Sequence, residues 1–187
     1  TMSVIQDSEQ ENLLFLGTEN GLYFSLDKGK NWQLWNKDFP TVQTADFALQ
    51  KREADLVVGT FGRAAWVLDD IRPLRALAAD KAKVLSQPIT VFKTPDAVLV
   101  SWREADGTRF AADAMYQGDN RTPLARISFW LNKNETDTAF KKLKEVKVEI
   151  FDANNVLIRT GKEEFNAGLN RIYWDLCEKG ERYPSLR

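Results

Sequence analysis

Leu14-Phe15-Leu16-Gly17-Thr18 returns as Leu56-Val57-Val58-Gly59-Thr60, 42 residues further along the chain. Each copy is an apolar run that stops at Gly-Thr and is followed by a short polar turn, Glu19-Asn20-Gly21 or Phe61-Gly62-Arg63. A second extended run comes next, Leu22 to Ser25 or Ala64 to Leu68. Two apolar runs joined by a Gly-containing turn predict a β-hairpin, so the chain holds two hairpins that match with one residue of slippage.

Between the hairpins, Asn31 to Trp35 predicts a third strand and Val42 to Leu49 a fourth. The turn around Phe39-Pro40 sets the fourth strand off, and the polar run Gln50 to Ala54 precedes the next hairpin. Four short strands recurring every 40 to 45 residues or so are the content and period of a β-propeller blade.

The turn after the first hairpin reads Ser25-Leu26-Asp27-Lys28-Gly29-Lys30-Asn31-Trp32. Asp27 is suited to accept backbone N–H bonds inside such a turn, Gly29 to take the positive φ that closes it, and Trp32 to bury its ring between sheets. This Ser-x-Asp-x-Gly-x-x-Trp pattern resembles the Asp-box, or bacterial neuraminidase repeat. The resemblance implies a fold staple on the outer rim of a propeller, away from the axial cleft, rather than a catalytic carboxylate or calcium ligand at Asp27.

The stretch from Gly59 to Leu74 resembles the closing blade of bacterial sortilin-like Asp-box proteins, which are often labelled glycosyl hydrolases. Trp66-Val67-Leu68-Asp69-Asp70-Ile71 stands where the second box belongs, without its Gly and second Trp. Those proteins usually carry Gly-Ile or a similar pair where this chain has Ala64-Ala65, and alanine tolerates positive φ poorly.

From Arg72 to Lys83, alanine and leucine predict a short helix, with Pro73 suited to its first turn. Ile89 to Phe92 and Ala97 to Trp102 read as short extended segments, and Arg103 to Thr122 as a long exposed connection. Beyond it Ala125 to Leu131, Val146 to Phe151, Val156 to Thr160 and Asn170 to Leu176 alternate apolar and polar residues. The turns Asp152-Ala153-Asn154-Asn155 and Asn166-Ala167-Gly168 separate them, which predicts an antiparallel sandwich. The run Val146 to Asp152, Val156 to Thr160 and Ala167 to Leu176 resembles the immunoglobulin-like domain of the flagellar hook-capping protein, a domain that commonly follows the propeller in sortilin-like proteins.

The expected fold is therefore all-β, terminal blades of a β-propeller followed by an immunoglobulin-like β-sandwich. Residues 1–71 are the last blades, 72–123 a linker with a short helix and an extended loop, and 124–187 the sandwich. The N-terminal Thr1 to Asn12 lacks the basic start and apolar centre of a signal peptide and reads as a cut end. The sandwich is expected to lack its final strand, and exposed sheet edges predict a strand-swapped homodimer.

Composition narrows the chemistry. The 187 residues, 43% hydrophobic and 11% aromatic, suffice for a substantial core. With 26 Lys and Arg against 27 Asp and Glu, no long-range field marks the chain for nucleic acid. The absence of histidine removes His-based general bases and the commonest zinc ligand. The single cysteine, Cys177, rules out an intrachain disulfide. No apolar stretch is long enough to span a membrane, and no phosphate loop, Cys cluster or calcium loop predicts a metal or cofactor.

No catalytic residue is assigned. Glu19 at a strand end, Asp46 in a strand and Arg63 after the Phe61-Gly62 turn are the residues placed to face a ligand, with Tyr23 in a hairpin strand beside them. Arg63 suits a carboxylate ligand held bidentately, or a salt bridge to Asp69 or Asp70. Glycoside hydrolysis would need two carboxylates about 5 to 10 Å apart, for which the chain offers candidates but no pattern. Carbohydrate binding by the sandwich would draw on Trp102, Tyr116 and one of Phe129 and Trp130, the other being core. The resemblance implies a structural and glycan- or peptide-binding module that completes upstream blades of a secreted or periplasmic protein. The alternative it implies is part of a glycoside hydrolase whose carboxylates lie upstream.

Overall fold

The computed structural model describes residues 1–98, 124–132 and 145–178. Of these, 47% are strand and 10% helix, in several antiparallel sheets, so the protein is all-β. Two units divide the chain: Thr1–Phe92 with Phe129–Lys133, and Lys93–Ser128 with Asn134–Arg187. Among the described residues no helix is long and apolar enough to cross a membrane.

The first unit opens with β1 (Ser3–Gln6), β2 (Leu14–Thr18), β3 (Gly21–Ser25) and β4 (Gln33–Trp35), an antiparallel sheet in chain order. Ser3 lies opposite Gly17, Thr18 opposite Gly21 and Leu22 opposite Trp35. A second sheet takes β5 (Thr44–Gln50), β6 (Asp55–Thr60) and β7 (Ala65–Leu68), again in chain order. Thus the strand expected as the fourth of the first repeat opens the second sheet instead. It pairs with β6 along its length, Phe47 opposite Val58 and Gln50 opposite Asp55. The first sheet is completed from its other side by β1, whose Ser-Val-Ile-Gln is too short to display a period.

The repeat is visible in this arrangement, since β2 and β6 are the 42-residue copies and each lies between the strands before and after it. Period-two alternation sends Leu13, Phe15 and Leu22 of one sheet, and Phe47, Leu56 and Val58 of the other, into the interior. Each such side chain contributes about 1.5 to 3 kcal/mol through loss of hydrated apolar surface. The sheets come close at Gly17, where a Cβ would lie 2.6 Å from the Thr44 carbonyl oxygen. Only glycine leaves room there, which gives the first Gly-Thr a packing role.

After the second sheet come α1 (Arg72–Ala79) and α2 (Lys81–Ser86). Pro73 occupies the first turn of α1, and Leu74, Leu77 and Ala78 are buried. Asp80 starts α2, its Oδ1 accepting from the Lys83 N–H at 2.9 Å. The sequence places one short helix here, in a linker; the structure forms two helices that belong to the first unit. The Ile71 N–H donates to the Ala54 carbonyl at 2.7 Å, Asn12 Nδ2 to the Ala78 carbonyl at 3.0 Å, and Arg75 pairs with Asp7. Amphipathic spacing on α1 gives it a face to bury, and the first unit supplies the surface.

The following strands are β8 (Ile89–Val91), β9 (Ala125–Leu131), β10 (Glu145–Phe151), β11 (Leu157–Glu164) and β12 (Gly168–Trp174). Ile89 to Val91 pairs with Phe129 to Leu131, and Phe129 is the buried member of the Phe129-Trp130 pair. In the second unit, β10 and β11 form an antiparallel hairpin from Glu145 opposite Glu164 to Phe151 opposite Leu157. Its turn is set by Asp152, whose Oδ1 accepts from the Asn154 and Val156 N–H groups at 2.8 Å while Asn155 takes φ 65°. Both strands alternate in sequence, but none of their side chains is fully buried. The expectations placed on 99–123, with Trp102 and Tyr116, lie outside the described residues.

Candidate functional site

The turn between β3 and β4 closes on itself. Ser25, 1% exposed, donates its hydroxyl to Asp27 Oδ1 at 2.8 Å and accepts from the Gly29 N–H at 2.8 Å. Asp27 Oδ1 accepts from the Asn31 N–H at 2.8 Å, and Oδ2 from Asn31 Nδ2 at 2.6 Å. These bonds favour the carboxylate, the Asn31 side chain most, and hold its pKa down to about 2. Gly29 takes φ 83°, as the turn requires. Trp32 differs from its expected burial between sheets: it is 36% exposed and lies over Gly29 instead. Both Asp27 oxygens are taken up inside the turn, which makes it a staple.

The three residues expected to face a ligand stand at one end of the paired sheets. Glu19 is in the β2–β3 turn, Arg63 in the β6–β7 turn, and Asp46 near the start of β5. Main-chain bonds hold this end together, Met2 N–H to the Gly17 carbonyl at 2.8 Å and Phe61 N–H to the Gln43 carbonyl at 2.9 Å. Asp46 sits at a bulge opposite Gly59, and its Oδ1 accepts from the Phe47 N–H at 2.8 Å. Glu19 and Arg63 are exposed. Asp70, a partner anticipated for Arg63, pairs with Arg72 at 2.9 Å, because Asp70 lies at the start of α1 beside the Arg72 backbone. Among the described residues no ion pair joins Glu19, Asp46 and Arg63, and no group of three His, Cys, Asp or Glu side chains could hold a metal ion.

What this end of the unit does build is a cleft of about 180 Å³. Buried Leu22 and Val58 contribute to it together with Leu68, one sheet supplying the first and the other sheet the rest. Trp35, Phe39 and Trp66 are its aromatic walls, and exposed Lys37 and Asp38 lie on the connection from β4 to β5. Trp35 Nε1 donates to the Lys37 carbonyl at 3.0 Å, and its ring meets Phe24 edge to face at 5.7 Å. Trp66 Nε1 donates to the Arg63 carbonyl at 3.0 Å, and its ring meets Phe39 in the same manner at 5.5 Å. Asp38 holds φ 54°, a left-handed conformation on the bend between Trp35 and Phe39.

Sequence reasoning reads Trp35 as a strand residue and Trp66 as the start of the stretch standing in for the second box, and assigns neither to a ligand site. They belong to different sheets, and no spacing rule brings β4 and β7 together. The one usable signal is a tryptophan at a strand end followed by the polar Asn36-Lys37-Asp38 turn. In comparisons with known proteins, no family model, no curated protein and no solved structure matches this chain.

Proposed function

We propose that the chain is the C-terminal part of a sortilin-like Asp-box propeller protein, its last blades followed by an immunoglobulin-like sandwich of the hook-capping type. In this reading it is a structural and ligand- or partner-binding module with no complete active site of its own. The observation that carries the reading is the Ser25-Asp27-Gly29-Asn31 turn, which joins the third and fourth strands of an antiparallel sheet whose β2 recurs 42 residues later as β6. A blade-sized period together with a stapled outer turn favours a propeller over a generic pair of hairpins.

The partners that follow are upstream blades of the parent protein and a glycan or peptide ligand, and the resemblance points to a secreted or periplasmic location. Among the described residues β7 ends the second sheet without a fourth strand, and that edge supports the strand-swapped homodimer. Hydrolysis of a panel of plant and host glycans by the parent protein, with this chain run in parallel, tests the reading. Activity in neither favours a binding propeller. Activity in the parent alone assigns the carboxylates of a glycoside hydrolase to upstream blades, and activity in this chain overturns the proposal.

A further inference from the structure

The cleft between the two sheets limits its own ligand by size and by hydrogen-bonding capacity. At about 180 Å³ it falls below the range of about 300 to 1,000 Å³ typical of sites for whole small molecules, so it takes one compact group. Both indole N–H groups are committed to main-chain carbonyls, Trp35 to Lys37 and Trp66 to Arg63. Leu22, Val58 and Leu68 add no polar side-chain atoms. A sugar ring would stack on such walls, but only the side chains of Lys37 and Asp38 among the lining residues could pair with its several hydroxyls. A primary ammonium has three N–H donors to satisfy, and Asp38 is the one carboxylate among the lining residues that could accept from it.

A methylated ammonium has neither problem. It carries no N–H, its methyl surface matches apolar walls, and its charge is attracted by aromatic π faces. The exposed carboxylate of Asp38, placed by its left-handed backbone between Trp35 and Phe39, supplies a counter-charge at the cleft. Lys37 lies there too, and its ammonium opposes a cation.

We propose that Trp35, Phe39 and Trp66, with Asp38 as counter-ion, form a binding site for a quaternary ammonium group such as a choline or trimethylated amine. This names a ligand class for the binding role proposed above; it uses the first unit alone and does not depend on the propeller reading.

The test is titration of the full 187-residue chain, followed by tryptophan fluorescence at constant ionic strength. Tetramethylammonium and choline are expected to give saturable changes. The neutral tert-butyl analogue of choline should bind about five-fold more weakly or worse. Asp38→Asn should weaken choline binding about two- to five-fold without moving Tm, and Lys37→Gln should tighten it. Trp66→Ala should abolish it, with near-ultraviolet circular dichroism showing that the variant folds. Phosphocholine and a trimethyl-lysine peptide then distinguish a headgroup from a modified protein, the tighter of the two naming the source. Equal binding by the neutral analogue, N-acetylglucosamine binding without choline binding, or no response to any quaternary ammonium overturns the proposal. Because hydrolysis of glycans is a separate readout, failure here leaves the module reading standing, and the reverse holds.

Discussion

Asp7 and Arg75 lie 68 residues apart and form a bidentate ion pair, Oδ1 to Nη2 at 2.8 Å and Oδ2 to Nε at 2.9 Å. The Asp7 side chain is fully buried and that of Arg75 is 11% exposed, so the pair joins the β1–β2 connection to α1 in the interior of the first unit. Asp7 Oδ2 also accepts from the Gln10 N–H at 2.8 Å, which ties the local turn to the same carboxylate.

Removing one partner leaves the other charge buried. Arg75→Met is expected to destabilise the protein by about 3 kcal/mol, read as the urea unfolding midpoint. Glu9 also pairs with Arg75 at 2.7 Å, but its side chain is 57% exposed, so Glu9→Gln should cost less than about 1 kcal/mol. Equal effects of the two substitutions would contradict a buried lock.

Asp27 makes stability pH-dependent in a defined window. Its folded pKa is about 2 against an ordinary 3.8, so the unfolded chain binds the proton first as pH falls. The stabilisation is therefore complete above about pH 5 and disappears between about pH 4 and pH 2. Unfolding midpoints of the wild type and Asp27→Ala should converge as the pH approaches 2. Asn31→Ala, which removes the strongest contributor, should raise the Asp27 pKa in a carboxyl NMR titration.

The repeated glycines should respond differently to the same substitution. In Gly17→Ala the new methyl meets the Thr44 carbonyl oxygen at 2.6 Å and forces the sheets apart, at a cost of about 1 to 3 kcal/mol. In Gly59→Ala the nearest atom is the Asp46 carbonyl oxygen at 3.5 Å, an ordinary contact. That variant should stay within about 0.5 kcal/mol of wild type. Thermal unfolding of the two variants side by side decides the matter.

Ala64 occupies a left-handed conformation, φ 57°, in the exposed β6–β7 turn, and its carbonyl accepts from the Thr60 hydroxyl at 2.6 Å. A Cβ in that region costs about 1 to 2 kcal/mol, partly offset by the greater backbone freedom of glycine in the unfolded chain. Ala64→Gly should therefore stabilise the protein by about 0.5 to 1 kcal/mol. No change in melting temperature would show that this turn is unstrained.

The sequence by itself determined the features that depend on neighbouring residues. Short apolar runs joined by Gly-containing turns make β2, β3, β6 and β7 the strands of two hairpins, and Ser25, Asp27, Gly29 and Asn31 close a turn from their own hydrogen bonds. Pro73 with alanine and leucine starts and sustains α1 for the same local reason. Only the tertiary structure decided which sheet receives β5, because a strand of Thr44–Gln50 can pair on either side and the better partner is β6. It also drew α1 into the first unit through Asp7 and Arg75, and left Trp32 at the surface while Trp35 and Trp66 came to share a cleft. Those outcomes rest on desolvation and packing between segments tens of residues apart, and no local pattern encodes the free energy of such encounters.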